Sequence, residues 1–337
     1  MAIQFMDNFN MYGLSGSALF DGTPWNLFYG TLANDPDPGA DGDCLRVENW
    51  VRMALPTVVD KAGTGCRLWM PNLPVAIGRQ PNFIYHNITG DRLYEMRVMP
   101  NGALNVYYNE TTLVASTTNP VVAPQSWYHL EFYVEVNTGV YEIRVEGITV
   151  LSGTHSGHPT GQSIASAGWY SQGVSIDFYV KDWVNWDTTG SNNNTFIGPV
   201  TIYSLTVDSD VSNGWTTSSG SSAYALLDET PPNDADYIQA GSGPLPAACV
   251  MGFENLPATV VSVKALQINV RAKKNDGGAA VLKTSAVSGS STSPGGDKSV
   301  TTAFKYWFDI HELDPATGAL WSPLAVNSAN IKLDRTT

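Results

Sequence analysis

Between Ser126 and Gly153 the chain reads "SWYHLEFYVEVNTGVYEIRVEGITVLSG", and its side chains alternate with the period of two that an extended strand imposes. Tyr128, Leu130, Phe132, Val134 and Val136 share one parity, predicting a core face, while Trp127, His129, Glu131, Tyr133 and Glu135 share the other, predicting a wet one. Asn137-Thr138-Gly139 supplies a turn, after which Tyr141, Ile143 and Val145 continue the core face and Glu142, Arg144 and Glu146 point out. Arg144 is expected to pair across the strands with Glu131 or Glu135, and "EGITVL" to add a third strand.

The same texture recurs along the first 207 residues. In "RLYEMRVMPNGALNVYYNETTLV" two strand-like runs flank Asn101-Gly102, a pair suited to a type I′ hairpin turn. Further strands are expected around Cys44 to Met53, Cys66 to Met70, Asn82 to Ile88, Val174 to Trp186 and Phe196 to Val207. No segment of useful length keeps the i, i+3, i+4, i+7 pattern of a helix. The expected fold class is therefore all-β, a jelly-roll sandwich followed by a smaller sandwich.

A chain of 337 residues makes two cores the natural expectation. The texture changes at Asp208, where "DSDVSNGWTTSSGSSAYALLDETPPNDADYI" is rich in Ser, Asn, Asp and Pro, so the boundary is placed between domains 1–207 and 208–337. In the second domain the apolar parity shifts between Val261, Val263, Ala265 and Leu266, Ile268, Val270, Ala272, which suggests a bulge near Ala265. "SGSSTSPGGDKS", 288–299, is expected to be a mobile loop, and Phe304, Tyr306, Phe308 and Ile310 mark a strand that breaks at Asp314-Pro315.

Charge narrows the function. The formal net charge is −13, which argues against a nucleic-acid partner, because phosphate binding needs clustered Lys and Arg. The basic residues Lys264, Arg271, Lys273 and Lys274 read as a solvated strand end. Cys44, Cys66 and Cys249 lack CxxC spacing and read as buried free thiols. The N-terminus shows no secretory signal and no apolar run nears the ~18 residues of a membrane span, so no membrane insertion is expected, and the sequons at Asn87, Asn109 and Asn193 would matter only in a secretory pathway.

Candidate site residues are few. Glu131 with Glu135, and Glu142 with Glu146, are four apart on one strand face, ~13 Å at ~3.3 Å per residue. Glycoside chemistry needs carboxylates ~5 to 9.5 Å apart, so these read as solvated charges and no catalytic residue is expected. His155 and His158 lie in a Gly-rich loop without an evident third metal ligand, and His129 is expected to be exposed. Trp127 and Tyr133 fall on the outward parity, and Trp183 and Trp186 have opposite parities, so one of the latter is expected to face away from the core. In "WDTTGSNNNTFIGPV", Asp187, Asn192, Asn193 and Asn194 form either a polar turn or a contact surface for a ligand. Their oxygens would suit calcium, but a second acidic residue is lacking, so no cofactor is expected.

The Trp-led strand, the strand ending in acid-Gly, and the Asp, Gly, Asn-run and "FIGPV" that follow resemble the concanavalin A-like, laminin G-like sandwiches of tailed-bacteriophage virion proteins. "ALLDETPPNDADYI", "VKALQINVRAKKNDGG" and "DPATGALW" resemble the C-terminal modules that accompany them. The resemblance implies a non-enzymatic structural protein on the virion surface, a capsid decoration or tail fibre component, with other virion proteins as partners and homo-oligomerisation. It equally admits a lectin-like module for a host surface glycan. A glycan depolymerase would need the carboxylate pair that the sequence lacks.

Overall fold

The structure is a computed structural model and describes residues 2–12, 25–34, 43–76, 80–158, 160–171, 177–220, 222–241, 245 and 248–337. These form two compact units, one running to Ile202 and the other covering Tyr203–Thr337. Both are built of antiparallel strands, and the one α-helix among the described residues, α1, is the five-residue Pro323–Asn327.

The first unit holds β1 (Ile3–Asp7), β2 (Trp25–Asn34), β3 (Asp43–Val59), β4 (Lys61–Trp69), β5 (Pro81–His86), β6 (Arg92–Val98), β7 (Leu104–Tyr108), β8 (Thr112–Ser116), β9 (Tyr128–Glu135), β10 (Val140–Val145), β11 (Ile148–Thr154), β12 (Ile164–Ser171) and β13 (Phe178–Asp187). Their hydrogen-bonded order is β11-β10-β9-β4-β13-β3-β12-β5-β6-β7-β8, with β1 added on β13 and β2 on β3. Ring contacts fold this path into two facing layers. Phe83 on β5 meets Phe132 on β9 at 6.2 Å and Trp183 on β13 at 5.6 Å, and Trp183 meets Trp25 at 5.2 Å. The Tyr85 hydroxyl donates to the Phe132 carbonyl at 2.7 Å, so the buried phenol is satisfied inside the sandwich.

The meander β9-β10-β11 follows the sequence pattern. Leu130, Phe132, Val134, Ile143 and Val145 are buried in register, and Gly139 closes the turn. The β6-β7 hairpin also forms, but its turn is not type I′. Pro100 holds its own φ negative, so Gly102 N–H bonds back to Met99 and only Gly102, at φ +80°, enters the left-handed region. Of the strand expected over Val174 to Trp186, residues 174–176 lie outside the described residues, and Phe178–Asp187 is strand. Residues 196–206 are not a strand, contrary to expectation.

Residues 196–202 instead strap the outer face of the β10-β9-β4-β13 layer. Glu131, expected to be solvated, is fully buried, and its Oε1 accepts the N–H groups of Ile197 and Gly198, both at 2.9 Å. Ile202 N–H donates to Asp182 Oδ1 at 2.8 Å, while Asn8 Nδ2 donates to the Ile202 carbonyl at 2.9 Å. Arg67 Nη2 reaches Thr201 Oγ1 at 3.3 Å, and Arg67 Nε lies 3.3 Å from Asp182 Oδ2. Phe196 packs on Trp186 and Tyr133, both at 5.9 Å, with the Arg144 guanidinium 3.7 Å over its ring.

The strap corrects two further expectations, those for His129 and Arg144, and buries Trp186, which faces away from the core as expected. His129 is buried at 2% exposure, because the face it occupies is covered. Trp183 and Trp186 are both buried. A register shift after Lys181, with Asp182 at φ +53°, sends Trp183 to the core and leaves Trp186 on the opposite face, over Gly63, where a Cβ would stand 2.1 Å from the indole. Arg144 is in register with Glu131, yet it pairs with Glu142 at 2.8 Å, since Glu131 is consumed by the strap.

The second unit holds β14 (Val207–Asn213), β15 (Thr216–Thr217), β16 (Ile238–Gln239), β17 (Cys249–Phe253), β18 (Leu266–Ala272), β19 (Val281–Ser288), β20 (Ser291–Pro294), β21 (Lys298–Ser299), β22 (Lys305–His311) and β23 (Ala329–Arg335). The sheet β14-β17-β23-β19-β20, with β21 on β19, packs against the β18-β22 pair through Ile268, Ala286, Trp321, Val326 and Ala329. Residues 261–265 are not strand and Val261 is exposed, so the parity change marks a strand start rather than a bulge. The expected mobile loop at 288–299 is instead β20 and β21, pinned where buried Lys298 pairs with Asp309. Arg271 is not a solvated charge: it is bidentate on Asp234 at 2.8 and 2.9 Å. The three cysteines are buried free thiols.

Two outcomes are expected. Glu131→Ala leaves two strap N–H groups unpaired and should cost ~3 to 5 kcal/mol, read as a lowered urea midpoint with a red shift of Trp186 emission as the strap lifts. Neither ring nitrogen of His129 has a hydrogen-bond partner among the described residues, and burial, with Arg67 adding, lowers its pKa from 6.5 to about 4. The unfolded chain therefore takes a proton that the folded one refuses as pH falls from 6.5 towards 4. This contribution to stability is lost by about 1.4 kcal/mol per pH unit across that window. Asp7, whose pKa burial raises to about 6, acts in the opposite sense, so the test is wild type against His129→Gln. Parallel urea midpoints of the two chains from pH 6.5 to 4 would remove the assignment.

Candidate ligand-binding face

The other outer face of the sandwich belongs to β3, β12, β5, β6 and β7. On β3, Val51 and Met53 point to the core, so Trp50, Arg52 and Ala54 point away from it. Register carries this face across the sheet. Trp50 opposes Tyr170, Tyr170 opposes Asn82, Asn82 opposes Arg97 and Arg97 opposes Asn105. The next row is Arg52, Gly168, Ile84, Glu95 and Tyr107, and a third is Ala54, Ser166, His86 and Arg92. Four strand spacings of ~4.8 Å make this band ~19 Å long.

Asn82, Ile84, His86 and Glu95 form a buried floor, while Trp50, Tyr170, Arg52 and Arg92 are half-buried. Trp50 and Tyr170 stack with centroids 4.3 Å apart and planes 24° from parallel. The Arg92 guanidinium lies 5.3 Å from the Trp50 ring centre and 5.2 Å from that of Tyr170, a double cation–π contact. Arg92 also reaches Glu95 at 3.4 Å and Glu110 at 3.1 Å. Arg97 holds the other Glu95 oxygen at 2.9 Å and stacks 3.9 Å over Tyr107. The result is one continuous series, aromatic pair, arginine, carboxylate, arginine, aromatic. Beyond it a recess of about 350 Å3 is lined by Met99, Pro100, Asn101, Ala103, Asn105, Ser116 and Thr117.

His86 lies 5.7 Å from the Trp50 ring. Burial, then the charges of Arg52 and Arg92, lower its pKa to about 3, so it is neutral at physiological pH. A Cβ at Gly168 would stand 2.2 Å from the Val51 carbonyl and 3.1 Å from the Arg52 Cβ, so only glycine lets β12 run this close to β3.

The residues singled out from sequence lie elsewhere. Asp187 is buried at the end of β13, where Oδ2 accepts from Gln4 Nε2 at 2.8 Å and Oδ1 from Thr189 N–H at 2.7 Å and Thr189 Oγ1 at 2.6 Å. Asn194 Nδ2 donates to the Gly190 carbonyl at 3.0 Å, Asn192 Nδ2 to Ser191 Oγ at 3.2 Å, and Asn193 has φ +49°. Trp127 is half-buried under the Lys181 ammonium, 4.4 Å from its ring, and Tyr133 donates to Glu135 Oε1 at 2.8 Å. Of these, Tyr133 packs on Phe196 of the strap, and none is part of the aromatic–arginine band. His155 packs against Tyr94 and Tyr108. Among the described residues no group of three His, Cys, Asp or Glu is placed to hold a metal.

The band went unread because its members are spread over five strands. Its trace in the sequence is "RVENWVRM", where Trp50 and Arg52 share the parity opposite Val51 and Met53.

No family model matches the chain, and no curated protein does. Among solved structures it is similar to a sialidase at 11% identity and a TM-score of 0.41, over 55% of this chain and 18% of that one, so it spans less than a fifth of that protein. It is similar to the carbohydrate-binding module CBM66 from Bacillus subtilis at 13% identity and a TM-score of 0.35, over 49% of this chain and 97% of that one. A Bacillus subtilis protein of unknown function with a galectin-like fold is similar at 12% identity and a TM-score of 0.38, over 55% and 96%. At these TM-scores the likeness carries no ligand or activity to this chain.

Proposed function

We propose that this protein is a non-catalytic glycan-binding β-sandwich protein whose ligand lies along the Trp50–Tyr107 band. The observation that carries the reading is the half-buried Trp50–Tyr170 pair, stacked at 4.3 Å and clamped by Arg92 on a sheet face that points away from the core. Rigid aromatic rings offer apolar faces to the C–H face of a sugar ring at small entropic cost, and neighbouring guanidinium donors suit its hydroxyls. Fixed donors on a sheet are more exactly placed than donors on loops.

Binding rather than hydrolysis is favoured by the state of the one carboxylate on the floor. Both oxygens of Glu95 are held by arginines, and its neighbour Glu110 is bonded to Arg92, so neither is set up as a general acid paired with a base or nucleophile. The resemblance to phage virion sandwiches supports placing such a binder, as an oligomer, on the outside of a phage particle, where host-surface polysaccharide would be its ligand. Its absence from purified particles would remove that part of the proposal.

Trp50→Ala and Tyr170→Ala should each weaken glycan binding by about tenfold or more, ~1.4 kcal/mol, in calorimetric titration against glycans first found on an array. Asn193→Ala and Asn194→Ala should leave binding unchanged. A wild-type protein that binds nothing on the array would sink the reading.

A further inference from the structure

We infer that the ligand of this face is an acidic glycan, whose anionic group is received by Arg52. The inference rests on the glycan-binding reading above and adds the substrate class. Six arginines of the first unit have described side chains, and five of them are paired. Arg46 meets Asp177, Arg67 meets Asp182, Arg92 meets Glu95 and Glu110, Arg97 meets Glu95, and Arg144 meets Glu142. Arg52 alone has neither an ion pair nor a side-chain hydrogen bond among the described residues, and its Nε is buried without a partner. The chain carries 31 acidic residues against 18 Lys and Arg, so a guanidinium left without a carboxylate is conspicuous.

A half-buried guanidinium without an acceptor loses hydration that nothing replaces, and a planar anion returns that energy through two parallel N–H···O bonds. Its position suits a sugar substituent. Arg52 follows Trp50 by two residues on one strand face, ~6.6 Å along β3, so an anion on Arg52 and a ring on the Trp50–Tyr170 platform can belong to one sugar or to adjacent ones. The outer end of Arg52 lies at the β5-β6 turn, with Nη1 3.9 Å from where a Cβ of Gly90 would be, and that glycine leaves the approach clear. Beside it, His86 has a buried Nδ1 without a partner, a further polar group available to the ligand. No carboxylate opposes Arg52 in its row, whose nearer members are Gly168 and Ile84, and Glu95 further along is held by Arg92 and Arg97.

The test is calorimetric titration of the full chain with an oligogalacturonate, the same oligomer after reduction of its carboxyl groups, and a sulfated neutral oligosaccharide with its unsulfated counterpart. The anionic member of a pair should bind at least about tenfold more tightly than its neutral partner. Arg52→Gln should remove that preference, so that the anionic and neutral members of each pair bind within about twofold of one another, and Arg52→Lys should restore part of it. Since Arg52 makes no bond within the described fold, Arg52→Gln should unfold at no lower temperature than wild type. Preference for the uronate pair names a carboxylate, and preference for the sulfated pair a sulfate. Equal affinity within both pairs, with Trp50→Ala still abolishing binding, would overturn the anion assignment and leave glycan binding standing. Failure of every oligomer to bind would overturn both.

Discussion

The Glu131 carboxylate decides how the first unit is organised. A carboxylate on the outer face of a sheet would ordinarily stay in water, since burial of the charge is costly unless it is hydrogen-bonded. Here the 197–198 peptide brings two backbone N–H groups to one oxygen, and Asp182 does the same for Ile202. The exchange is mutual, because a chain segment outside any strand also has N–H groups that need acceptors. Acidic side chains on the sheet thus take the place of a neighbouring strand, and a segment that reads as a strand can lie across the sheet instead of joining it.

The rest follows from which face is covered. Under the strap, His129, Trp186 and Tyr133 become interior or half-interior groups, and the aromatics of that face are spent on Phe196 and its neighbours. The opposite layer keeps its outward row of Trp50, Tyr170, Arg52, Arg92, Arg97 and Tyr107, knit by cation–π contacts and ion pairs. An arginine held between rings and a carboxylate loses little freedom when it meets a ligand, which is the condition for preorganised binding.

Particular elements show how much of this was legible. The meander β9-β10-β11 was readable because one buried face and one different face produce a clean alternation over short range. The hairpin at Gly102 was readable in position but not in type, since Pro100 shifts the turn by fixing its own φ. The segment 196–206 misled because Phe196 and Ile197 are apolar for a different reason: they pack down on a sheet face, and local pattern does not distinguish that from strand burial. The 288–299 stretch misled in the other direction, because Ser and Gly content suggested freedom where sheet pairing and the Lys298–Asp309 contact impose order.

The sequence by itself determined the fold class and the alternating faces of the strands, because both are written in residues two apart. It also held the parity that puts Trp50 with Arg52. Only the tertiary structure decided which outward face is covered and which carboxylates are spent on backbone N–H groups. It also decided that the candidate site lies on β3, β12, β5, β6 and β7 rather than around Asn192 to Asn194. The physical reason is that the deciding contacts join residues far apart in the chain, 66 residues for Glu131 with Ile197 and 120 for Trp50 with Tyr170, and strand periodicity carries no information on which distant segments meet.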